Sequence, residues 1–144
     1  MAEPLVRTAP RGPGTVLLVL YTLFTIAAGS RSLVQLSLHA DRAPVAYSLS
    51  VLAAVIYALG LVALWHVARG AGTTVARVWC LVELVGVVSV GTLSVFLPEW
   101  FPEPSVWSGF GSGYGFVPAA LPLLALWWLH AVDRQRLAAA ARET

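Results

Sequence analysis

Four apolar segments separated by short polar connections order the chain. They run from Thr15 to Leu38, from Pro44 to Arg69, from Thr74 to Leu97 and from Gly113 to Val132. At ~1.5 Å per helical residue, each of the first three is at least about 36 Å long, enough for a hydrocarbon core of roughly 30 Å. The connection His39–Ala43 is short and polar, so the first two helices are expected to be antiparallel neighbours. Pro44 suits a first helical turn, where a missing N–H is no loss. Gly70 and Gly72 are expected to stop the second helix, and Pro98 bounds the third. Pro118 and Pro122 lie inside the fourth segment and predict a kinked or late-starting helix. Membrane helices tolerate such prolines because neighbours and local distortion meet the freed carbonyls. The pattern predicts an all-α membrane protein, a single four-transmembrane-helix bundle over residues 15–133. A disordered tail is expected at 1–14, and a second tail at 134–144 that extends the last helix. A cleaved signal peptide would share the basic start and the small residues Ala27, Ala28 and Gly29. The first helix continues in register to Leu38, which favours a retained span.

Composition strengthens this reading. Apolar residues make up 58% of the chain and charged residues 11%, against the roughly 25% charged residues that cover a soluble domain. The lipid bilayer is the expected surrounding. The basic residues are nine arginines, placed mostly at segment ends. A nucleic-acid surface needs a clustered basic face, so no nucleic-acid partner is expected. One cysteine, Cys80, excludes an internal disulfide.

The arginines predict a threading. With a cytoplasmic N-terminus, the inside segments hold Arg7, Arg11, Arg69, Arg77, Arg134, Arg136 and Arg142, and the outside segments only Arg42. That imbalance places both termini in the cytoplasm. Trp65, Trp79, Trp127 and Trp128 then fall at the inner interface, and Tyr47, Trp100, Trp107 and Tyr114 at the outer one.

The stretch from Pro98 to Pro122 breaks the pattern with five prolines, two tryptophans and glycines at 109, 111, 113 and 115. A phosphate-binding glycine loop follows a strand and opens a helix in an α/β unit, and this chain has no such unit. The alternation of glycine with aromatic residues suits close backbone packing, with small-xxx-small spacing at Gly109/Gly113 and Gly111/Gly115. The stretch is expected to form an outer cap over the bundle, with Trp100, Trp107, Gly109, Gly111, Gly113 and Tyr114 as its defining residues. A substrate-lining entrance is the alternative.

Two charges lie within the spans, where burial costs at least ~2.5–3.5 kcal/mol, so each is a candidate for function. Arg31 lies in the outer third of the first helix with Gln35 one turn beyond it. Ser48, Ser94, Tyr114, Glu99, Glu103 and carbonyls of the glycine-rich stretch are its candidate partners. Arg31 either snorkels and ties down the cap or builds an anion or lipid-headgroup site beneath it. Glu83 lies in the inner half of the third helix, about 12 Å from Arg31 along the membrane normal, at the depth of Tyr57, Tyr21 and Thr22. Without a cationic partner it is expected to stay neutral and to donate a hydrogen bond that joins helices. A proton-coupled role is the sharper alternative. His66 and His130 share a level, but each lies beside tryptophan, which suits an interfacial belt better than haem ligation. No metal or other cofactor is expected.

The block VWSGFGSGYGFVPAALPLLALWWL, together with IAAGSRSLVQL in the first helix, resembles a family of small integral membrane proteins from actinobacteria. The resemblance extends from about Val16 to Trp128 and implies fold and location, with no catalytic residue carried over. Small multidrug resistance transporters share four short helices and an intramembrane glutamate. Theirs is in the first helix, where this chain has Arg31, and Glu83 is in the third. The expected function is non-enzymatic, as an accessory or assembly partner of a larger membrane protein or a homo-oligomer in a membrane or envelope system. The alternative is a small proton-coupled transporter, or a lipid- or anion-binding protein, using Glu83 and Arg31.

Overall fold

A computed structural model describes residues 11–39 and 41–144. It is an all-α membrane bundle of α1 (Arg11–His39), α2 (Pro44–Ala68), α3 (Thr74–Phe96) and α4 (Val117–Ala141), with no strand among the described residues. The first three helices are each long and apolar enough to cross a membrane. α4 reaches that length and apolarity only when taken together with a 3-10 segment, Ser108–Tyr114, which meets it at 96°. The helices form a ring in chain order, with α4 closing against α1.

Helix boundaries follow local chemistry. Pro44 opens α2 in its first turn, and the chain leaves α2 with the Ala71 N–H bonded to the His66 carbonyl at 2.9 Å. α1 begins at Arg11, so residues 11–14 belong to the helix and not to the tail expected at 1–14; residues 1–10 of that tail lie outside the described residues. Pro13 is tolerated because it falls in the first helical turn, and Gly14 lies where a Cβ would meet the Trp128 ring at 2.7 Å. The fourth helix starts at Val117 and not at Gly113, and it continues to Ala141, nine residues past Val132.

Small residues let α1 and α2 approach closely: Ala28, Ser32, Ser50 and Ala53 are buried, and a Cβ on Gly60 would sit 3.1 Å from the Tyr21 ring. Lipid tails are as apolar as leucine, so close packing of this kind is what holds membrane helices together. At the end bearing the 69–73 connection, polar contacts fix α4. Asp133 accepts from Arg77 Nη2 at 2.6 Å and from the Thr73 hydroxyl at 2.9 Å, while Arg136 donates to the Ala71 carbonyl at 2.7 Å.

Residues 97–116 form the cap at the other end. The cap does not simply lie over the helices: part of it turns inward between α3 and α4. The turn is left-handed at Gly109 (φ 56°), Phe110 (φ 60°) and Gly111 (φ 83°). Glycine adopts that conformation freely, whereas a bulky side chain there is strained, so the alternating glycines make the inward turn affordable. Two cap aromatics then fill notches on α3 where glycine leaves room. A Cβ on Gly86 would meet the Trp107 ring at 2.7 Å, and one on Gly91 would collide with the Phe110 ring.

Candidate functional site

The inward turn creates two polar centres with a tryptophan between them. The first is a cavity of about 480 Å³ under the cap, within the range of roughly 300–1,000 Å³ typical of small-ligand sites. Its walls come from α1 through Arg31, from α3 through Ser94 and Val95, and from the cap through Ser105, Ser108 and Ser112, among others. Gly109, Gly113 and Tyr114 also line it.

Arg31 Nη1 donates to the Tyr114 hydroxyl at 2.8 Å, and Nη2 donates to the Pro104 carbonyl at 2.7 Å. Both partners are neutral. A guanidinium has five N–H donors, so this geometry orients the group and leaves donors over. No acidic residue lines the cavity among the described residues. Glu103, a candidate partner of Arg31, instead accepts from the Tyr47 hydroxyl at 2.9 Å. Ser94 Oγ takes the Gly109 N–H at 2.8 Å and so pins the inward turn to α3. Ser48 is exposed, and Gln35 Oε1 is buried without a hydrogen-bond partner.

The second centre surrounds Glu83, which is 0% exposed. The Tyr21 hydroxyl donates to Glu83 Oε2 at 2.7 Å, so α1 and α3 are joined as expected but with the carboxyl as acceptor. Oε1 has no hydrogen-bond partner. Cys80 Sγ lies 3.9 Å from the same hydroxyl. Tyr57 does not bond Glu83; its hydroxyl accepts from Trp107 Nε1 at 2.9 Å. Thr22, the other expected neighbour, bonds the Leu18 carbonyl within its own helix.

Trp107 separates the two centres and corrects the expectation of an interfacial residue. It is 1% exposed and lies against Gly86, which at ~1.5 Å per residue is about 15 Å below the cap end of α3. Gly86 is also one helical turn from Glu83, so Trp107 packs one turn above Glu83 on α3. Phe24 bridges the layers, with ring centroids 5.8 Å from Tyr57 and 6.0 Å from Tyr114. Tyr47 and Trp128 are also buried by protein, but they lie near the two ends of the bundle, Tyr47 bonded to Glu103 of the cap and Trp128 against Gly14 in the first turn of α1. Trp100, by contrast, is exposed in the 3-10 turn Pro98–Trp100, and Gly111 is buried against Pro118.

Arg31 and Glu83 therefore do not pair; each has neutral partners in its own layer. His66 and His130 are both exposed, so neither imidazole is placed in the bundle interior. No group of three or more His, Cys, Asp or Glu side chains is arranged to hold a metal ion among the described residues. Sequence reasoning missed Cys80 beside Tyr21 and the depth of Trp107. The available signal was a pair of glycines, Gly86 and Gly91, in the middle of an apolar helix that needs no turn there.

No family model matches the chain, and no curated protein or solved structure matches it.

Proposed function

We propose that the protein is a non-enzymatic, multi-pass protein of the cell membrane whose capped end is a receptor for an anionic group. The observation that carries this reading is the Arg31 guanidinium at the wall of an open cavity, oriented by neutral partners alone. An unpaired cation at membrane depth favours a carboxylate or phosphate, which guanidinium binds by paired, charge-assisted hydrogen bonds. Ser112 and one hydroxyl of the Ser105–Ser108 pair supply further donors to the same ligand, while Ser94 is committed to the Gly91 carbonyl. We further propose that the cap faces outward and both termini are cytoplasmic. Arg69, Arg77, Arg134, Arg136 and Arg142 lie at the opposite end, which supports that threading.

The test is thermal unfolding of the purified protein with and without a phosphate-bearing amphiphile such as dodecyl phosphate. A ligand at ~100 times its Kd stabilises by ~2.7 kcal/mol. Arg31→Gln is expected to abolish the shift and Glu83→Gln to leave it. Absence of a shift, or an equal shift in Arg31→Gln, would remove the receptor reading. A C-terminal reporter active only outside the cytoplasm would overturn the threading. Specific recovery of a larger protein in detergent would instead favour the broader accessory role.

A further inference from the structure

We infer that the ligand of the cap cavity is the phosphate headgroup of a membrane lipid that enters sideways, past the last turn of α3. This inference rests on the receptor reading of Arg31 and adds the source of its anion.

Depth is the first argument. Beyond Arg31, α1 continues for two turns with Leu33 and Leu38 at 70% and 69% exposure. Val34 and Leu36 are exposed as well. Leu38 is seven residues past Arg31, so apolar surface extends about 10 Å above the Arg31 backbone. Such surface belongs in hydrocarbon, and Arg31 is rooted below its upper limit. A long arginine at that depth reaches upward to the headgroup layer. A water-borne anion must shed its hydration to arrive there, whereas a lipid phosphate already occupies that layer.

The shape of the cavity is the second argument. Val95 forms part of the wall and is 59% exposed on the outward face of α3. The next residue, Phe96, is 76% exposed. The cavity therefore borders lipid-facing surface, and a bound headgroup can keep its acyl chains outside the bundle. Chemistry divides the interior in the same sense. Arg31, Ser112 and one hydroxyl of the hydrogen-bonded pair Ser105–Ser108 (Oγ to Oγ 3.0 Å) offer donors to phosphate and ester oxygens, while Val95, Pro98 and Phe101 offer an apolar bed for the glycerol backbone and first methylenes.

The experiment measures lipid retained per full-length protein by native mass spectrometry, in a mild detergent. The probes are phosphatidylglycerol, diacylglycerol with the same chains, glycerol phosphate and inorganic phosphate. Phosphatidylglycerol alone is expected to be retained, and glycerol phosphate is not expected to displace it at equal concentration. Arg31→Gln is expected to lower retention about tenfold or more, the scale of a lost charge-assisted contact. Val95→Trp, at the exposed rim of the cavity and not a hydrogen-bond partner of Arg31, is expected to lower it too by narrowing the side entrance. Should Arg31→Gln fail to fold, Val95→Trp decides: parental retention in that variant overturns lateral entry. Glycerol phosphate or inorganic phosphate binding as well as the lipid, with Arg31 dependence, overturns the lipid source and leaves the receptor reading intact. Retention of phosphatidylglycerol and diacylglycerol alike, unchanged in a folded Arg31→Gln, overturns both.

Discussion

Trp107→Ala is expected to open the bundle to reagents that the native protein excludes. The indole is 1% exposed, covers Gly86, and donates to Tyr57 at 2.9 Å. Large-to-small changes at buried tryptophan cost ~3–5 kcal/mol in water-soluble proteins. Between membrane helices the hydrophobic term is absent and packing and hydrogen bonding remain, so the lower end, ~3 kcal/mol, applies. The chain supplies its own reporter. Cys80 is its single cysteine, 0% exposed, and lies one turn from Glu83 in the layer beneath Trp107. If openings are fast relative to labelling, the rate follows the free energy of the opened state. A loss of ~3 kcal/mol then raises labelling of Cys80 by a membrane-permeant maleimide on the order of a hundredfold.

A second variant separates the ring from its N–H. Trp107→Phe keeps an aromatic ring over Gly86 and loses the bond to Tyr57. Interhelical hydrogen bonds in membranes contribute ~0.6 kcal/mol on average and at most ~1.7 kcal/mol by double-mutant cycles. The expected acceleration is therefore between about threefold and twentyfold. Mass spectrometry of the labelled protein over time gives both rates. A folded Trp107→Ala protein whose Cys80 reacts within threefold of the parental rate would refute the role assigned to Trp107.

Two other substitutions test the local arguments. Glu83→Gln keeps an acceptor for the Tyr21 hydroxyl and is expected to change stability by less than ~0.5 kcal/mol, whereas Glu83→Leu leaves that hydroxyl only the weak Cys80 sulfur and is expected to cost ~1–3 kcal/mol; detergent-denaturant titration of helix content distinguishes them, and equal losses would argue against the Tyr21 bond. Phe116 has φ 61° and a ring 56% exposed, so Phe116→Gly sheds ~1–2 kcal/mol of left-handed strain against ~0.5–1 kcal/mol of added chain entropy. A net gain near ~0.5 kcal/mol is expected in the same titration, and a loss above that size would mean that the exposed ring is anchoring the cap.

The helices were legible because their signals are local. Apolar length, Pro44 and Pro98 place three spans to within a few residues. The start of α1 was not legible, because Pro13 is compatible with either a tail or a first helical turn, and its fate depends on Gly14 meeting Trp128. Contacts that depend only on depth could also be read: counting residues along α1 and from the cap brought Arg31 to Tyr114. What failed was the direction taken by the connecting chain. Trp107 looks interfacial while the loop is imagined lying flat, and only the left-handed turn at 109–111 sends it inward. That turn shows in the sequence as glycine alternation, which equally suits a surface loop. Resolving the two required pairing Trp107 and Phe110 with Gly86 and Gly91, a relation between distant segments that no local pattern encodes.

The same inward turn explains why an arginine and a carboxyl in one small bundle remain apart. A direct Arg31–Glu83 pair would have to recover the desolvation of both ions through one contact, which buried pairs achieve only with additional hydrogen bonds. Instead Trp107 and Tyr57 occupy the layer between them, and each residue is met by neutral groups: Arg31 by Tyr114 and the Pro104 carbonyl, Glu83 by Tyr21. Glu83 is thereby sealed into interhelical packing, while the guanidinium stays at a cavity wall with donors to spare. Had the two paired, the cavity would have lost its charge and Arg31 its reason to face the cap. The re-entrant tryptophan thus divides one potential ion pair into a carboxyl packed between helices below and a guanidinium with spare donors at a cavity wall above.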